Sequence, residues 1–159
     1  MASPASIAGH PIHPILVTVP VGLWVFSLVS DIIFAAGLGG PVWSDVAFYT
    51  MAGGVVGALL AALPGLVDFL SLSDPKAKKI GATHMILNLT LVGLYAVNLY
   101  LRLGSRPGAT LPIALSVVSA ALLLVSGWLG GELVFRHGVG VASRRDVPPA
   151  EERPKARAA

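Results

Sequence analysis

Four long apolar stretches restrict what this chain can fold into. They cover approximately residues 14–36, 46–70, 80–101 and 111–135. A helix needs about 20 apolar residues to cross the hydrocarbon core of a bilayer, and each stretch meets that length. Only 12% of the residues are charged and the mean hydropathy is +0.79, which is too apolar for the surface of a soluble domain. The sequence therefore predicts an all-α fold, a four-helix transmembrane bundle.

Short breaks separate the four stretches and predict how the helices run. Glycine, proline, serine and aspartate fill these breaks, as in Gly39-Gly40-Pro41, Ser73-Asp74-Pro75 and Pro107-Gly108. Loops this short make consecutive helices antiparallel, which gives an up-down-up-down bundle. We call the side with the N-terminus and the second loop face A, and the side with the first and third loops face B. Residues 1–142 are expected to form the bundle, and residues 143–159 a disordered tail.

Basic residues are distributed unequally between the two faces. Face A has the larger number close to helix ends, and the positive-inside rule assigns the larger number to the cytoplasm. The sequence thus predicts a multi-pass protein of the plasma (inner) membrane with both termini cytoplasmic. The basic residues of face A are Lys76, Lys78, Lys79, Arg136, Arg144 and Arg145, and those of face B are Arg102 and Arg106.

Several function classes are excluded by composition and motifs. The chain has no cysteine, so disulfides, thiolate metal sites and cysteine nucleophiles are ruled out. It contains no P-loop, Rossmann glycine pattern, nucleophile elbow or HExxH motif. Its basic residues are not interleaved with aromatic ones, so no nucleic-acid partner is expected. Whether the protein is an enzyme stays open.

Polar residues collect where the helices reach face A. An ionisable group costs roughly 2.5–3.5 kcal/mol at the centre of a transmembrane helix, so such a concentration needs a reason. His10 and His13 each precede a proline before the first helix, which stiffens the backbone there. The set consists of the histidines His10, His13, His84 and His137, with Asp68, Asn88 and Glu132 beside them.

Three kinds of chemistry can use histidines at one end of a bundle. Haem b takes two axial imidazoles from facing helices, and a transition metal ion takes two to four imidazoles with a carboxylate. A proton or solute path needs ionisable groups through the membrane depth, and the middle of these helices has almost none. We therefore expect a membrane protein that binds haem b or a metal ion. His13 and His84 are the first ligand candidates and His10 and His137 the next, held in place by Asp68, Asn88 and Glu132.

The alternative is a cofactor-free membrane component, either an assembly or stress protein or a small channel. Its polar layer would then be structural. Glu132 would pair with Arg136, and Asp68 with a lysine of the following loop. At face B, Asp31 would pair with Arg102 or Arg106.

Two GxxxG pairs predict close helix packing or a homo-oligomer. The first is Gly53 with Gly57 and the second is Gly127 with Gly131. The sequence does not show which helices meet at them.

Several motifs together resemble one known family. They are Gly9-His10-Pro11-Ile12-His13-Pro14, Gly65-Leu66-Val67-Asp68, His84 with Asn88, and residues 130–140. The chain up to about Ala142 resembles a widespread family of uncharacterised bacterial four-helix membrane proteins. Some relatives are joined to a Rieske iron–sulfur domain, which implies membrane electron transfer with haem or a quinone. This chain has no cysteine for such a cluster, so a separate redox partner is expected.

Overall fold

The structure is a computed structural model, and it describes residues 3–141. A small hairpin and a short helix precede four long helices. The tail predicted over residues 143–159 lies outside the described residues. The elements are β1 (Ser6–Ile7), β2 (His10–Pro11), α1 (Ile12–Leu16), α2 (Thr18–Ala35), α3 (Val42–Leu70), α4 (Pro75–Gly104) and α5 (Thr110–Phe135).

Four helical segments are long and apolar enough to cross a membrane. They are Ile12–Ala35, which joins α1 and α2, and the helices α3, α4 and α5, with mean hydropathies between 1.5 and 2.1. Large apolar side chains are exposed on the outside, as expected when lipid is the solvent; Leu124 is 78% and Trp128 75% exposed. The prediction of an all-α fold with four membrane-spanning helices is confirmed.

Two helices begin earlier than the apolar stretches do. α3 starts at Val42 and α4 at Pro75, whereas the apolar stretches begin near residues 46 and 80. The start of α4 is set by its cap, because the Asp74 carboxylate accepts hydrogen bonds from the backbone N–H groups of Lys76 (3.1 Å) and Ala77 (3.2 Å). Hydropathy detects only the apolar part of such a helix, so it misses the polar first turn.

α2 packs against α3 through a hydrogen-bonded seam. Trp24 Nε1 donates to the Met51 carbonyl (3.3 Å), and Ser27 Oγ donates to the Ala47 carbonyl (2.7 Å). As the residue number rises along α2, the number of its partner in α3 falls, so the two helices run in opposite directions. A Cβ at Gly54 would lie 2.4 Å from the Trp24 ring. Glycine is therefore needed there for the indole to reach the backbone.

The two GxxxG pairs have different surroundings. Gly53 and Gly57 lie against α2, where an added Cβ would come within 3.2 Å of a side chain in each case. That pair therefore packs inside the chain. A Cβ at Gly127 would have nothing within 4 Å, and one at Gly131 would meet only Phe135, at 3.9 Å. The homo-oligomer expected from these pairs stays a prediction, and only the α5 pair is open to another chain.

The centre of the bundle is an apolar cluster of Trp24, Met51, Leu91, Tyr95 and Leu123. The rings of Trp24 and Tyr95 are stacked, with centroids 4.2 Å apart and planes inclined by 16°. α2 and α4 thus meet across the middle of the bundle. The histidines of face A lie on one side of this cluster, and the ionic groups of face B on the other.

Candidate functional site

His13 is held between α1 and α3 by one hydrogen bond and one close packing contact. Its Nδ1 donates to the Ala61 carbonyl at 2.8 Å. One helical turn along α3, a Cβ at Gly65 would lie 2.7 Å from Nδ1 and 2.8 Å from Cε1. The imidazole therefore fills space that any side chain at residue 65 would occupy. Because a carbonyl only accepts, Nδ1 carries the proton in neutral His13 and Nε2 is left as the basic atom.

His84 is held in the same way between α4 and α5. Its Nδ1 donates to the Ser126 carbonyl at 3.0 Å, and a Cβ at Gly130 would lie 3.3 Å from Cε1. Asn88 Nδ2 donates to Ser126 Oγ and to the His84 carbonyl, both at 2.7 Å. Asn88 thus fixes the segment of α5 that orients the imidazole.

His13 and His84, which we call the histidine pair, share these features. Each ring is half-buried, donates through Nδ1 to a backbone carbonyl, and lies against a glycine four residues after that carbonyl. The two rings are close enough to interact electrostatically. The arrangement therefore offers two imidazoles, each oriented by a hydrogen bond through Nδ1, at one end of the bundle. Two imidazoles are a donor set that could hold haem b.

The other two histidines have different partners. His10 lies in β2, is exposed, and bonds through Nδ1 to the Ala8 carbonyl (3.0 Å). His137 Nδ1 lies 3.0 Å from Asp74 Oδ2, at the cap of α4. Backbone N–H groups, followed by His137, hold the pKa of the Asp74 carboxyl below its ordinary value. The ligand roles predicted for His10 and His137 stay predictions, and neither side chain has the carbonyl-and-glycine setting of the histidine pair.

The two carboxylates of face A bind groups other than imidazoles. Asp68 accepts from Ser3 Oγ (2.6 Å) and from the backbone N–H of Ala5 (3.4 Å), so it ties the N-terminal segment to the end of α3. Glu132 pairs with Arg136 at 3.1 Å, as the structural alternative predicts. A pairing of Asp68 with a lysine, expected on the same alternative, is not among the ion pairs of residues 3–141.

No group of three or more His, Asp or Glu residues within residues 3–141 is arranged to hold a metal ion. The histidine pair is therefore a two-ligand arrangement. A mononuclear metal ion in a protein takes three or four protein ligands in most sites.

A buried ionic cluster lies at face B. Arg102 donates to both carboxylate oxygens of Asp31, at 2.8 and 2.6 Å, and the two side chains are only 11% and 4% exposed. Arg102 Nε also donates to Asn98 Oδ1 (3.0 Å), and Ser116 Oγ donates to Asp31 (3.0 Å). We call these four residues the Asp31–Arg102 cluster. The sequence predicted Arg102 or Arg106 as the partner of Asp31, and the structure selects Arg102.

An internal repeat relates the two halves of the bundle, and the sequence interpretation above missed it. Residues 13–31 align with residues 84–102 without gaps, and seven of the 19 positions are identical. The alignment equates His13 with His84. It also equates Trp24 with Tyr95 and Asp31 with Arg102, and these two pairs contact each other in the structure. Contacts between equivalent positions are expected when a two-fold axis relates two halves, so the histidine pair straddles the same axis. A search for self-similarity would have found this signal.

Comparison with known proteins identifies one family. The model of a family described as "Predicted membrane protein (DUF2231)" matches residues 9–143. No curated protein and no solved structure gives a significant match. The matched region contains the histidine pair, both glycines beside it and the whole Asp31–Arg102 cluster.

Proposed function

The chain belongs to the DUF2231 family of predicted membrane proteins, and we propose that it binds haem b through His13 and His84 and serves in membrane electron transfer. One observation carries the proposal, namely the identical setting of the two imidazoles. Each has Nδ1 bonded to a backbone carbonyl and a glycine beside the ring, where an added Cβ would lie 2.7 Å from His13 or 3.3 Å from His84. Histidine ligands in proteins are oriented by this kind of Nδ1 hydrogen bond, which also increases the basicity of Nε2.

The donor set fits haem better than a metal ion. His13 and His84, from opposite halves of the bundle, would hold haem without further protein ligands, because the porphyrin supplies the other iron ligands. Haem, when bound, supplies one-electron exchange. The chain's residues hold the imidazoles, set their tautomer and surround them with apolar helices. Glu132 and Asp68 are engaged elsewhere, so they stabilise the ends of the helices that hold the histidine pair.

We further propose that the protein lies in the plasma (inner) membrane, with face A and both termini in the cytoplasm. Lys76, Lys78 and Lys79 are exposed at face A. Arg102, one of two basic residues counted at face B, is buried in its ion pair and adds little charge to that surface. Of the two basic residues counted at face B, only Arg106 is exposed, in keeping with the positive-inside rule. A separate redox protein or a quinone would exchange electrons at this face.

Absorption spectroscopy of the detergent-purified full chain tests the proposal. The protein should be expressed with haem supplied and measured oxidised, then reduced with dithionite, with metal analysis of the same sample. We expect a Soret band at about 410–430 nm that sharpens on reduction, as bis-imidazole haem gives. His13→Ala and His84→Ala should each lose that band. His10→Ala and His137→Ala are matched controls and should keep it. A colourless wild-type protein after haem supply would refute the proposal.

One observation favours a second candidate, a cofactor-free component in which the histidine pair only joins helices. The Nδ1 bonds link α1 to α3 and α4 to α5, so an alanine substitution removes a structural bond as well as a ligand. His13→Asn and His84→Asn separate the two functions, because the Asn Nδ2 takes the place of His Nδ1 and nothing replaces Nε2. On the haem proposal, the asparagine variants keep the wild-type Tm of the haem-free protein and bind no haem. Wild-type haem content in both asparagine variants would remove the histidine pair from the site.

A further inference from the structure

Two buried hydroxyl groups at the middle of the bundle have no hydrogen-bond partner within residues 3–141. They are Tyr95 Oη and Ser119 Oγ, and their residues are 1% and 0% exposed. A buried hydroxyl without a partner is unfavourable, because it has lost its hydrogen bonds to water without replacement. In a membrane helix this deficit cannot be met by bulk solvent.

The packing of α4 on α5 places these two hydroxyls at the same level. Asn98 Nδ2 donates to Ser116 Oγ (3.0 Å) across the α4–α5 seam. The helices run in opposite directions there, so moving three residues back along α4 and three forward along α5 gives Tyr95 and Ser119. Both lie on the inner faces of their helices, and both belong to the buried interior.

In the first half of the repeat, the side chain equivalent to Tyr95 has a hydrogen-bond partner. The equivalent of Tyr95 is Trp24, whose indole N–H donates to the Met51 carbonyl. Ala61 and Gly65 of α3 stand beside His13 as Ser126 and Gly130 of α5 stand beside His84, and the same spacing along the two helices makes Gly54 the equivalent of Ser119. Gly54 lacks a side chain and so makes room for that indole. In the second half a smaller phenol replaces the indole and a hydroxymethyl group replaces the glycine hydrogen. The hydroxyls of Tyr95 and Ser119, neither with a partner within residues 3–141, thus take the place of the Trp24–Met51 hydrogen bond of the first half.

Ser119 also differs from other hydroxyl residues in these helices. Ser30, Thr50 and Thr90 each donate to the carbonyl four residues earlier in their own helix, at 2.7–2.9 Å. This is the ordinary way in which a helix satisfies a hydroxyl locally. Ser119 makes no such bond, so its hydroxyl is available to a group between the helices.

We propose that Tyr95 and Ser119 bind an internal water molecule at the midpoint of the bundle. A water molecule donates and accepts, so it can bond both hydroxyls at once, and buried waters typically occupy such polar sites. Ser116, a member of the Asp31–Arg102 cluster, lies one turn from Ser119 on the same face of α5. The proposed water thus lies about one helical turn from the Asp31–Arg102 cluster. Leu91 and Leu123, 0% and 8% exposed, lie one turn further along the same helices, toward the histidine pair. The site does not depend on haem binding.

Water-to-protein NOE measurements on the detergent-solubilised full chain test this site. Tyrosine rings are protonated in an otherwise deuterated protein, and Tyr95→Phe assigns the Tyr95 signals. We expect an NOE at the water frequency to the Tyr95 ring protons, and its loss in Ser119→Ala. Ser30→Ala is the matched control, because Ser30 is equally buried but bonds its own helix; it should leave the NOE unchanged. Absence of the NOE in the wild type, or its persistence in Ser119→Ala, would overturn the proposal.

A thermal double-mutant cycle gives an independent readout. If one water bridges both hydroxyls, the Tm changes of Tyr95→Phe and Ser119→Ala are not additive, because either substitution removes the bridge. The double variant Tyr95→Trp/Ser119→Gly copies the first half of the repeat, and it should fold without the water. If the hydroxyls are instead unbridged, each single substitution raises the Tm independently, and that result would contradict a shared water.

Discussion

Gly65 and Gly130 are the residues on which the position of the two imidazoles most directly depends. A methyl group at residue 65 would lie 2.7 Å from the His13 ring, and one at residue 130 would lie 3.3 Å from the His84 ring. Gly65→Ala should therefore displace His13, break its bond to the Ala61 carbonyl and abolish haem retention. Gly130→Ala should reduce haem retention only in part, because its contact is 0.6 Å longer. The Soret absorbance per chain measures both effects.

The controls for this prediction are Gly22→Ala and Gly93→Ala. These two glycines are equivalent in the repeat, lie in α2 and α4, and would place a methyl group in open space. Alanine at such helix positions is about 0.5–1 kcal/mol more favourable than glycine, so the controls should keep haem and gain Tm. If Gly65→Ala behaves like Gly22→Ala, the close contact with His13 is not present in the protein.

The ion pair of Asp31 with Arg102 should affect stability far more than the other ion pairs. Removing one partner of a buried pair leaves an unpaired buried charge and costs about 3–5 kcal/mol. We therefore expect Asp31→Ala or Arg102→Met to lower the free energy of unfolding by that amount. Arg136→Ala breaks a pair whose arginine side chain is 74% exposed, and such pairs contribute about 0.2–1 kcal/mol. Reversible unfolding in mixed detergent micelles measures the difference.

The double variant Asp31→Leu/Arg102→Met completes this prediction. It removes both charges together, so most of the stability lost in the single variants should return. Equal losses in the single and double variants would mean that packing, and not the unpaired charge, determines the effect.

At the residue scale, the ion pairs of Asp31 and Glu132 were predictable from the sequence, and the neutral polar partners at face B were not. Asp31 and Glu132 each lie near a helix end with a basic residue at the same face of the membrane, so the topology was enough to predict their partners. Asn98 and Ser116 carry no charge and are common in membrane helices, so nothing in the sequence singled them out. The partners of Asp68 lie in the segment before the first helix, whose path depends on a hairpin that hydropathy does not detect.

At the scale of elements, the end of α5 is joined to the start of α4. His137 contacts Asp74, which also accepts from the backbone N–H groups of the first turn of α4. These N–H groups, with His137 next, favour the charged carboxylate and lower the pKa of Asp74 below 3.8. A carboxyl whose folded pKa is lowered stabilises the fold above its unfolded pKa, and this contribution is lost as the pH falls through the folded pKa.

Asp74→Asn tests this pH dependence. Asparagine is also a good N-cap residue, so the variant keeps the cap hydrogen bonds and removes only the charge. The Tm of the wild type should exceed that of the variant at pH 5–7, and the difference should shrink as the pH falls below about 4. Thermal melts in detergent across this range measure it. A difference that is the same at every pH would show that the charge of Asp74 is not responsible.

Element positions were predictable to the extent that apolar length determines them. The ends of α3 and α5, at Leu70 and Phe135, coincide with the ends of the apolar stretches. The starts of α3 and α4 do not, since caps and prolines determine them. Which helices meet was not predictable from the glycines alone. Gly53 and Gly57 proved to face α2, and this choice depends on the shapes of side chains in both helices.

For the whole molecule, the proposed orientation makes a direct prediction about surface accessibility. The chain has no cysteine, so a single introduced cysteine reports only its own position. Ser105→Cys, in the loop before α5, should react with a membrane-impermeant maleimide in intact cells. Lys78→Cys, in the first turn of α4, should react only after the membrane is permeabilised. The reverse pattern would place face A outside.

The whole fold was predictable as a class, because four apolar spans with short loops leave few arrangements. Its internal symmetry was also present in the sequence. Val21-Gly22-Leu23 recurs as Val92-Gly93-Leu94, each time eight residues after a histidine. The pairing of the two imidazoles across an axis was not predictable without this repeat, because hydropathy gives depth in the membrane and no position around the bundle.

The opposite charges at two equivalent positions have a consequence for how the halves recognise each other. A half-protein that met a second copy of itself would bring Asp31 against Asp31, or Arg102 against Arg102, in a place with almost no access to water. Like charges cannot be accommodated there, whereas one acidic and one basic residue complete each other. A bundle whose two halves have similar sequences can therefore assemble only as a mixed pair. Because both halves belong to one chain, the half with Asp31 is always accompanied by the half with Arg102.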